Sequence, residues 1–147
     1  MTSYALPLDG LPPQTKLHTG RAVFTTAYCV IPRGVMTDIV TSVLPGWTDT
    51  RAWVIARPMS GFSETFSQYI LELGPKGGST TPEPEAGAEG VLFVVDGRLT
   101  LTIGADTHDL APGGYAYLPP GCQWTLHNAT GNPARLHWIR KLYEPAP

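Results

Sequence analysis

Chemistry in this chain must come from a short list of side chains: four histidines, two cysteines and a handful of acids. A tight divalent-metal site needs three or four His, Cys, Asp or Glu donors in fixed geometry. His18, His108, His127 and His137 stand far apart, and no two have an i, i+2 or i, i+4 spacing. They read as surface or satisfied core histidines. Glu83 and Glu85 alternate with prolines and read as a solvated acidic loop, whereas Glu89 stands apart because it enters the apolar run Val91–Val95. A Ser/His/Asp triad can be assembled on paper from Ser60, Ser63, His108 and Asp109, but no nucleophile-elbow motif supports it. Gly113-Gly114 has no helix after it and is a turn rather than a phosphate cradle. Arg57, ahead of Pro58, could meet a carboxylate ligand or pair with Glu64 or Glu72. Trp47, Trp53, Trp124 and Trp138 read as core, each with an indole N–H that needs one partner. Cys29 and Cys122 read as free, buried thiols.

The elements that would position these groups are short. Glycine (16) and proline (15) together make about a fifth of the 147 residues. So many breakers exclude a helix bundle or coiled coil and favour strands joined by turns. Ten apolar or β-branched runs fit that reading: 21–31, 35–44, 52–56, 65–73, 91–95, 98–103, 107–110, 115–118, 123–128 and 135–142. In Arg98–Ile103 the residues Leu99, Leu101 and Ile103 alternate with polar ones, as one buried sheet face requires. Asp96-Gly97 reads as a two-residue hairpin turn, and residues 74–90 as one long loop. The net charge of −2 leaves no basic excess for a nucleic-acid backbone. No apolar run approaches the ~20 residues that span a bilayer, and residues 1–20 lack the pattern of a secretory leader. A cytoplasmic protein without nucleic-acid or membrane partners is the expectation.

Two stretches carry a more specific signal. One runs from Gly74 to Gly97 through a polar loop, an acidic residue and a buried strand. The other, Gly113 to Asn128, reads G-x5-P-x-G-x2-W-x3-N, with Gly113, Pro119, Gly121 and Asn128 at fixed spacing. These resemble the two motifs of the cupin superfamily, G-x5-H-x-H-x(3,4)-E-x6-G and G-x5-P-x-G-x2-H-x3-N. The resemblance implies an all-β, single-domain jelly-roll barrel, or double-stranded β-helix, with a lumen lined by Leu99, Leu101, Trp124 and Leu126. It also implies where a metal would be held. The two histidine positions of the first motif fall on Thr80 and Pro82, its glutamate position on Gly90 with Glu89 one residue off, and the histidine position of the second motif on Trp124. All are degenerate. Glu89 and Arg57 remain as weak candidate ligand contacts, and no catalytic or metal-binding residue is expected in the chain.

The resemblance extends over residues 18–145. The runs HTGRAVFTTAYCVIPRGVMTDIVTSVLPGW, RAWVIARPMSGFSETFSQYILEL, VLFVVDG, PGGYAYLPPG and HWIRKLYEP are similar to the N-terminal half of the (S)-ureidoglycine aminohydrolases, also known as glyoxylate-induced proteins. That family is bicupin. It implies hydrolysis of ureidoglycine, an intermediate of allantoin breakdown, to ureidoglycolate and ammonia, with manganese in the C-terminal cupin and none in the N-terminal one. The expected organisation is an irregular arm at 1–20, a cupin barrel at 21–143, and the start of a linker or a free C-terminus at 144–147. Two readings follow. Either the chain is the metal-free half of such an aminohydrolase, with a structural role and with itself or a second cupin module as partner, or it is a stand-alone metal-free cupin that binds a small polar ligand. The expected self-association rests on the apolar face that a missing partner domain would leave, with the arm able to add a strand to a neighbour.

Overall fold

The alternation read in the sequence becomes ten strands and no helix among the described residues of the computed structural model, which are 22–32, 43–57 and 65–147. They divide between two compact units, with 22–32 in the first and the rest in the second. In the first unit a single strand over 21–31 was expected. Instead β1 (Val23–Phe24) and β2 (Cys29–Val30) form a small antiparallel hairpin. The Thr25 hydroxyl causes the break: it accepts from the backbone N–H groups of Ala27 and Tyr28 and donates to the Tyr28 carbonyl. A Thr side chain used in this way substitutes for a strand ladder. The expected arm at 1–20 and most of the run 35–44 lie outside the described residues, as do His18, Ser60, Ser63 and Glu64.

The second unit holds β3 (Thr48–Ala56), β4 (Phe66–Ser79), β5 (Ala88–Asp96), β6 (Leu99–Ile103), β7 (Asp106–Leu110), β8 (Tyr115–Leu118), β9 (Trp124–His127) and β10 (Ala134–Leu142). They form one antiparallel sheet in the order β7-β6-β9-β4-β10-β5-β8, with β3 also on β4. The sheet rolls into a jelly-roll barrel. Its inner face carries Leu71, Leu73, Leu92, Leu99, Leu101, Leu118, Leu126 and Leu136, none more than 2% exposed. Each contributes roughly 1.5–3 kcal/mol by leaving water. Leu99, Leu101, Trp124 and Leu126 line the lumen as expected.

Two local expectations are corrected. Residues 74–79 are not loop: β4 continues to Ser79, and only 80–87 are irregular. Glycine-rich sequence here makes a bulge, not a loop. Thr50 faces Leu73, yet Thr48 faces Gly78, so five residue steps of β4 pass two of β3. The bulge redirects the strand, and Gly78 and Ser79 then pair with His127 and Leu126 of β9. β4 thus belongs to both halves of the barrel. Asp96-Gly97 is likewise not a hairpin. Gly97 does adopt a φ of 77°, but β5 pairs with β10 and β8 while β6 pairs with β7 and β9. The turn is a corner between the two halves, and a side chain at Gly97 would strike the backbone of Ala134.

The second motif has a structural account at each fixed residue. Gly113, at φ 87°, lets its N–H reach the Val94 carbonyl at 2.8 Å, while the Val94 N–H reaches the Gly114 carbonyl. Pro119 to Cys122 close a tight turn, with the Cys122 N–H on the Pro119 carbonyl and Gly121 at φ 75°. A proline followed by a left-handed glycine is the chemistry of a type II turn. Asn128, 1% exposed, donates through Nδ2 to the carbonyls of Leu73 and Asn132 and accepts through Oδ1 from the N–H and hydroxyl of Thr130. Its own backbone bonds Lys76 and Gly77 across the bulge. Asn128→Ala strips all four side-chain bonds and leaves buried groups unpaired, a loss of about 2–4 kcal/mol. Thermal melts should show a drop of roughly 5–12 °C; a drop under about 2 °C would mean that the bulge holds without this clamp.

Candidate functional site

In a cupin-like barrel the chemistry would sit in the lumen, at the degenerate positions. They do not converge on one point. Thr80 is exposed beyond the end of β4, and Pro82 is buried but has no side-chain donor. Glu89 is not inward. On β5 the buried positions are Ala88, Gly90, Leu92 and Val94, which puts Glu89 on the outer face. There its carboxylate accepts from the Tyr117 hydroxyl at 2.7 Å and lies 3.6 Å from Lys141 Nζ. That hydrogen bond pushes the Tyr117 phenol above its ordinary value. The weak assignment of Glu89 as a lumen contact is therefore corrected by strand parity. Arg57 is exposed at the end of β3, and Glu72 pairs with Arg135 at 2.6 Å.

Gly90 and Trp124 do face inward, and aromatic side chains fill the space around them. Trp138 of β10 is the centre. Its ring lies 6.0 Å from Trp124 in an edge-on arrangement, 5.8 Å from Trp47 and 5.5 Å from Tyr69, centroid to centroid. Such tilted and edge-on pairs suit the quadrupoles of the rings. A Cβ on Gly90 would lie 3.2 Å from Trp138 Nε1, so the indole occupies the volume into which a longer side chain at 90 would grow. Trp138 Nε1 is also a buried donor without a partner among the described residues. The expectation of a partner for every indole N–H fails here. Trp53 departs in another way: it is half-buried on the outer face of β3, under the Arg135 guanidinium at 5.9 Å, and is not core.

Arg140 closes this aromatic stack. Strand parity from Leu136 and Trp138 turns it inward opposite Gly90, and its guanidinium lies 5.7 Å from the Trp138 ring. Glu83 grips it with both carboxylate oxygens, at 2.5 and 2.6 Å, and Glu85 adds a contact at 3.0 Å. Both partners of the Arg140–Glu83 pair are largely buried, with side chains 19% and 11% exposed. Burial opposes the charged guanidinium, but the hydrogen bond and charge of Glu83 outweigh it and hold the Arg140 pKa above its usual value. Glu83 is thus not a solvated loop residue, while Pro84 and Glu85 stay exposed. Glu83 and Glu85 latch the 80–87 segment onto β10. In HWIRKL Arg140 follows Trp138 at a period of two, but that spacing alone does not tell a buried arginine from an exposed one at a strand end. A cleft of about 410 Å³ opens beside it, lined by Thr65, Ser67, Glu85, Arg140, Lys141, Leu142 and Glu144.

The remaining candidates stay scattered. His108 is exposed, His127 is half-buried, and His137 lies with Nδ1 3.3 Å from Gln68 Nε2. Asp109 pairs with Arg98 on the surface at 2.7 Å. Cys29 and Cys122 are free thiols, half-buried where full burial was expected. Among the described residues no three His, Cys, Asp or Glu side chains come together. No helix there is long and apolar enough to cross a membrane.

Comparison with known proteins gives a consistent set of relatives. Residues 69–140 match the cupin domain family. The (S)-ureidoglycine aminohydrolase of Escherichia coli is 30% identical over 107 residues, which is 73% of this chain and 40% of that protein. Its counterpart in Arabidopsis thaliana is 34% identical over 88 residues, 59% of this chain and 28% of that protein. A solved structure, the glyoxylate-induced protein of Pseudomonas aeruginosa, is 55% identical with a TM-score of 0.78 and matches 99% of this chain and 52% of its own. The chain spans less than half of either aminohydrolase and about half of the Pseudomonas protein.

Proposed function

The chain is a cupin of the (S)-ureidoglycine aminohydrolase and glyoxylate-induced protein family, and from that premise we propose that it is the family's metal-free, non-catalytic cupin unit, cytoplasmic and structural in role. One observation carries the reading: aromatic side chains occupy the lumen around Gly90 and Trp124, where a metal would be held. Trp138 lies against Gly90, Trp124 packs edge-on to it, and the guanidinium of Arg140, held by Glu83, lies over the Trp138 ring. These residues do not fit manganese. A divalent ion requires several lone-pair donors, whereas the indoles offer only N–H groups and Arg140 a positive charge. The Glu83 carboxylate is already committed to that charge. The ureidoglycine chemistry of the family would then reside in a second cupin with its own ligands, in which this unit has no catalytic residue.

The alternative reading, a stand-alone cupin that binds a small polar ligand in the barrel mouth, needs an open lumen with convergent polar groups. The aromatic stack argues against it. Elemental analysis after chelator-free purification, with an ammonia-release assay on ureidoglycine, tests the proposal. The expected result is neither stoichiometric metal nor ammonia. One equivalent of manganese per chain, lost when Glu89 or any histidine is replaced, would overturn it.

A further inference from the structure

The cleft of about 410 Å³ beside Arg140 has no part in the reading given so far. Its lining includes Arg140 but none of the rings of the aromatic stack, so it lies outside the filled lumen. Its volume falls within the range of small-molecule sites. The paired ends of β4 and β10 build it: Ser67 stands directly opposite Arg140, and Thr65 and Glu144 follow just past the ends of the two strands. Ser67 is the informative residue. Strand parity with Leu71 and Leu73 turns it inward, and it is only 4% exposed. Its hydroxyl lines the cleft and has no hydrogen-bond partner among the described residues. A buried hydroxyl is normally bonded to the protein or to something that the protein holds.

The charge around that hydroxyl is one-sided. Arg140 is already held by Glu83 and Glu85, and Lys141, on the outward parity of β10, lies against Glu89. Glu85 spends a single 3.0 Å contact on Arg140 and keeps half its side chain exposed, while Glu144 makes no ion pair among the described residues. The cleft therefore holds carboxylate charge in excess. An anion would find the Arg140 charge compensated and would face Glu85 and Glu144. No third His, Cys, Asp or Glu joins these two acids among the described residues, so the donors fall short of a metal site. We propose that this cleft binds a small organic ammonium ion, at a site separate from the lumen and beyond the structural role proposed above. The ammonium N–H groups donate to Ser67 Oγ and to the carboxylates of Glu85 and Glu144, and the carbon chain lies against Leu142.

Titration of the whole 147-residue chain with n-propylammonium chloride, followed by backbone amide NMR shifts, tests this. Saturable shifts should appear at Thr65, Ser67 and Leu142, with a dissociation constant of about 1–10 mM for so small a ligand. Two probes separate the chemistry. Sodium propionate has the opposite charge, and tetramethylammonium is a cation without N–H donors; each should bind about tenfold more weakly or not at all. Ser67→Ala should weaken n-propylammonium binding about tenfold, the scale of one hydrogen bond to a charged group. Glu144→Gln, at an exposed position, should weaken it about threefold, as an exposed ion pair does, and it stands in should Ser67→Ala fail to fold. A native chain that shows no saturable shift up to about 50 mM n-propylammonium would overturn the proposal, whatever covers the cleft. So would equal binding of tetramethylammonium or propionate, or an affinity that neither substitution moves. Manganese content and ammonium binding are separate readouts, so either proposal can fail while the other stands.

Discussion

Trp138→Ala should lower the unfolding free energy by about 3–5 kcal/mol, the range for deleting a large aromatic from a packed core. Trp138 touches Trp47, Tyr69 and Trp124 and underlies Arg140, so its removal leaves a void that four separate strands or segments border. Collapse into that void would have to move the Arg140–Glu83 latch, which is held by two short hydrogen bonds. The informative companion is Trp138→Phe. It also loses volume, but it removes a buried N–H that has no partner among the described residues. An unsatisfied buried donor costs about 1–3 kcal/mol, which offsets much of the smaller packing loss. The expected net cost is therefore about 1 kcal/mol or less. Urea denaturation of both variants reads the difference. Equal losses for Ala and Phe would mean that the indole N–H has an acceptor.

The two-residue period made most of this barrel legible from residues alone. It placed Leu99, Leu101, Trp124 and Leu126 in the lumen because each faces the core at a spacing that a strand cannot hide. Turn identity was legible at Gly97, Gly113 and Gly121, all of which adopt positive φ. What was not legible was which strands those turns join. A left-handed glycine after an aspartate suits a hairpin and an inter-sheet corner equally, and only the pairing of β5 with β10 and β8 decides for the corner. The bulge at 74–78 was hidden for a related reason. Pro75, Gly77 and Gly78 have the composition of a loop, and their place in the sheet depends on β9, almost fifty residues later in the chain. At the site, Gly90 and Trp124 could be found by counting along a motif. Arg140 could not, since a charged residue near the end of a strand is exposed far more often than it is turned inward. Its burial depends on Glu83 arriving from a separate segment.

Gly78→Ala should be the more damaging of the single-methyl changes open to this barrel. Gly78 has φ 150°, within the region that side chains rarely enter, and its added Cβ would fall against the Leu126 carbonyl and the His127 backbone. Neither neighbour is the flexible end of a side chain, so strand β9 itself must move. Residues 78 and 79 are the β4 positions that pair with β9, and the Thr48 hydroxyl also donates to the Gly78 carbonyl at 3.2 Å. Displacing β9 therefore loosens the junction between the two halves of the barrel. Backbone strain of this kind costs about 1–3 kcal/mol, and each lost hydrogen bond adds about 1 kcal/mol. A total of about 3–5 kcal/mol should lower the melting temperature by roughly 8–15 °C. Gly131→Ala supplies the control, because a Cβ there meets nothing within 4 Å and its φ is not left-handed. It should move the melt by no more than about 2 °C, as ordinary surface substitutions do. If Gly78→Ala melts with Gly131→Ala, the closure of the barrel does not depend on the close approach of β4 to β9.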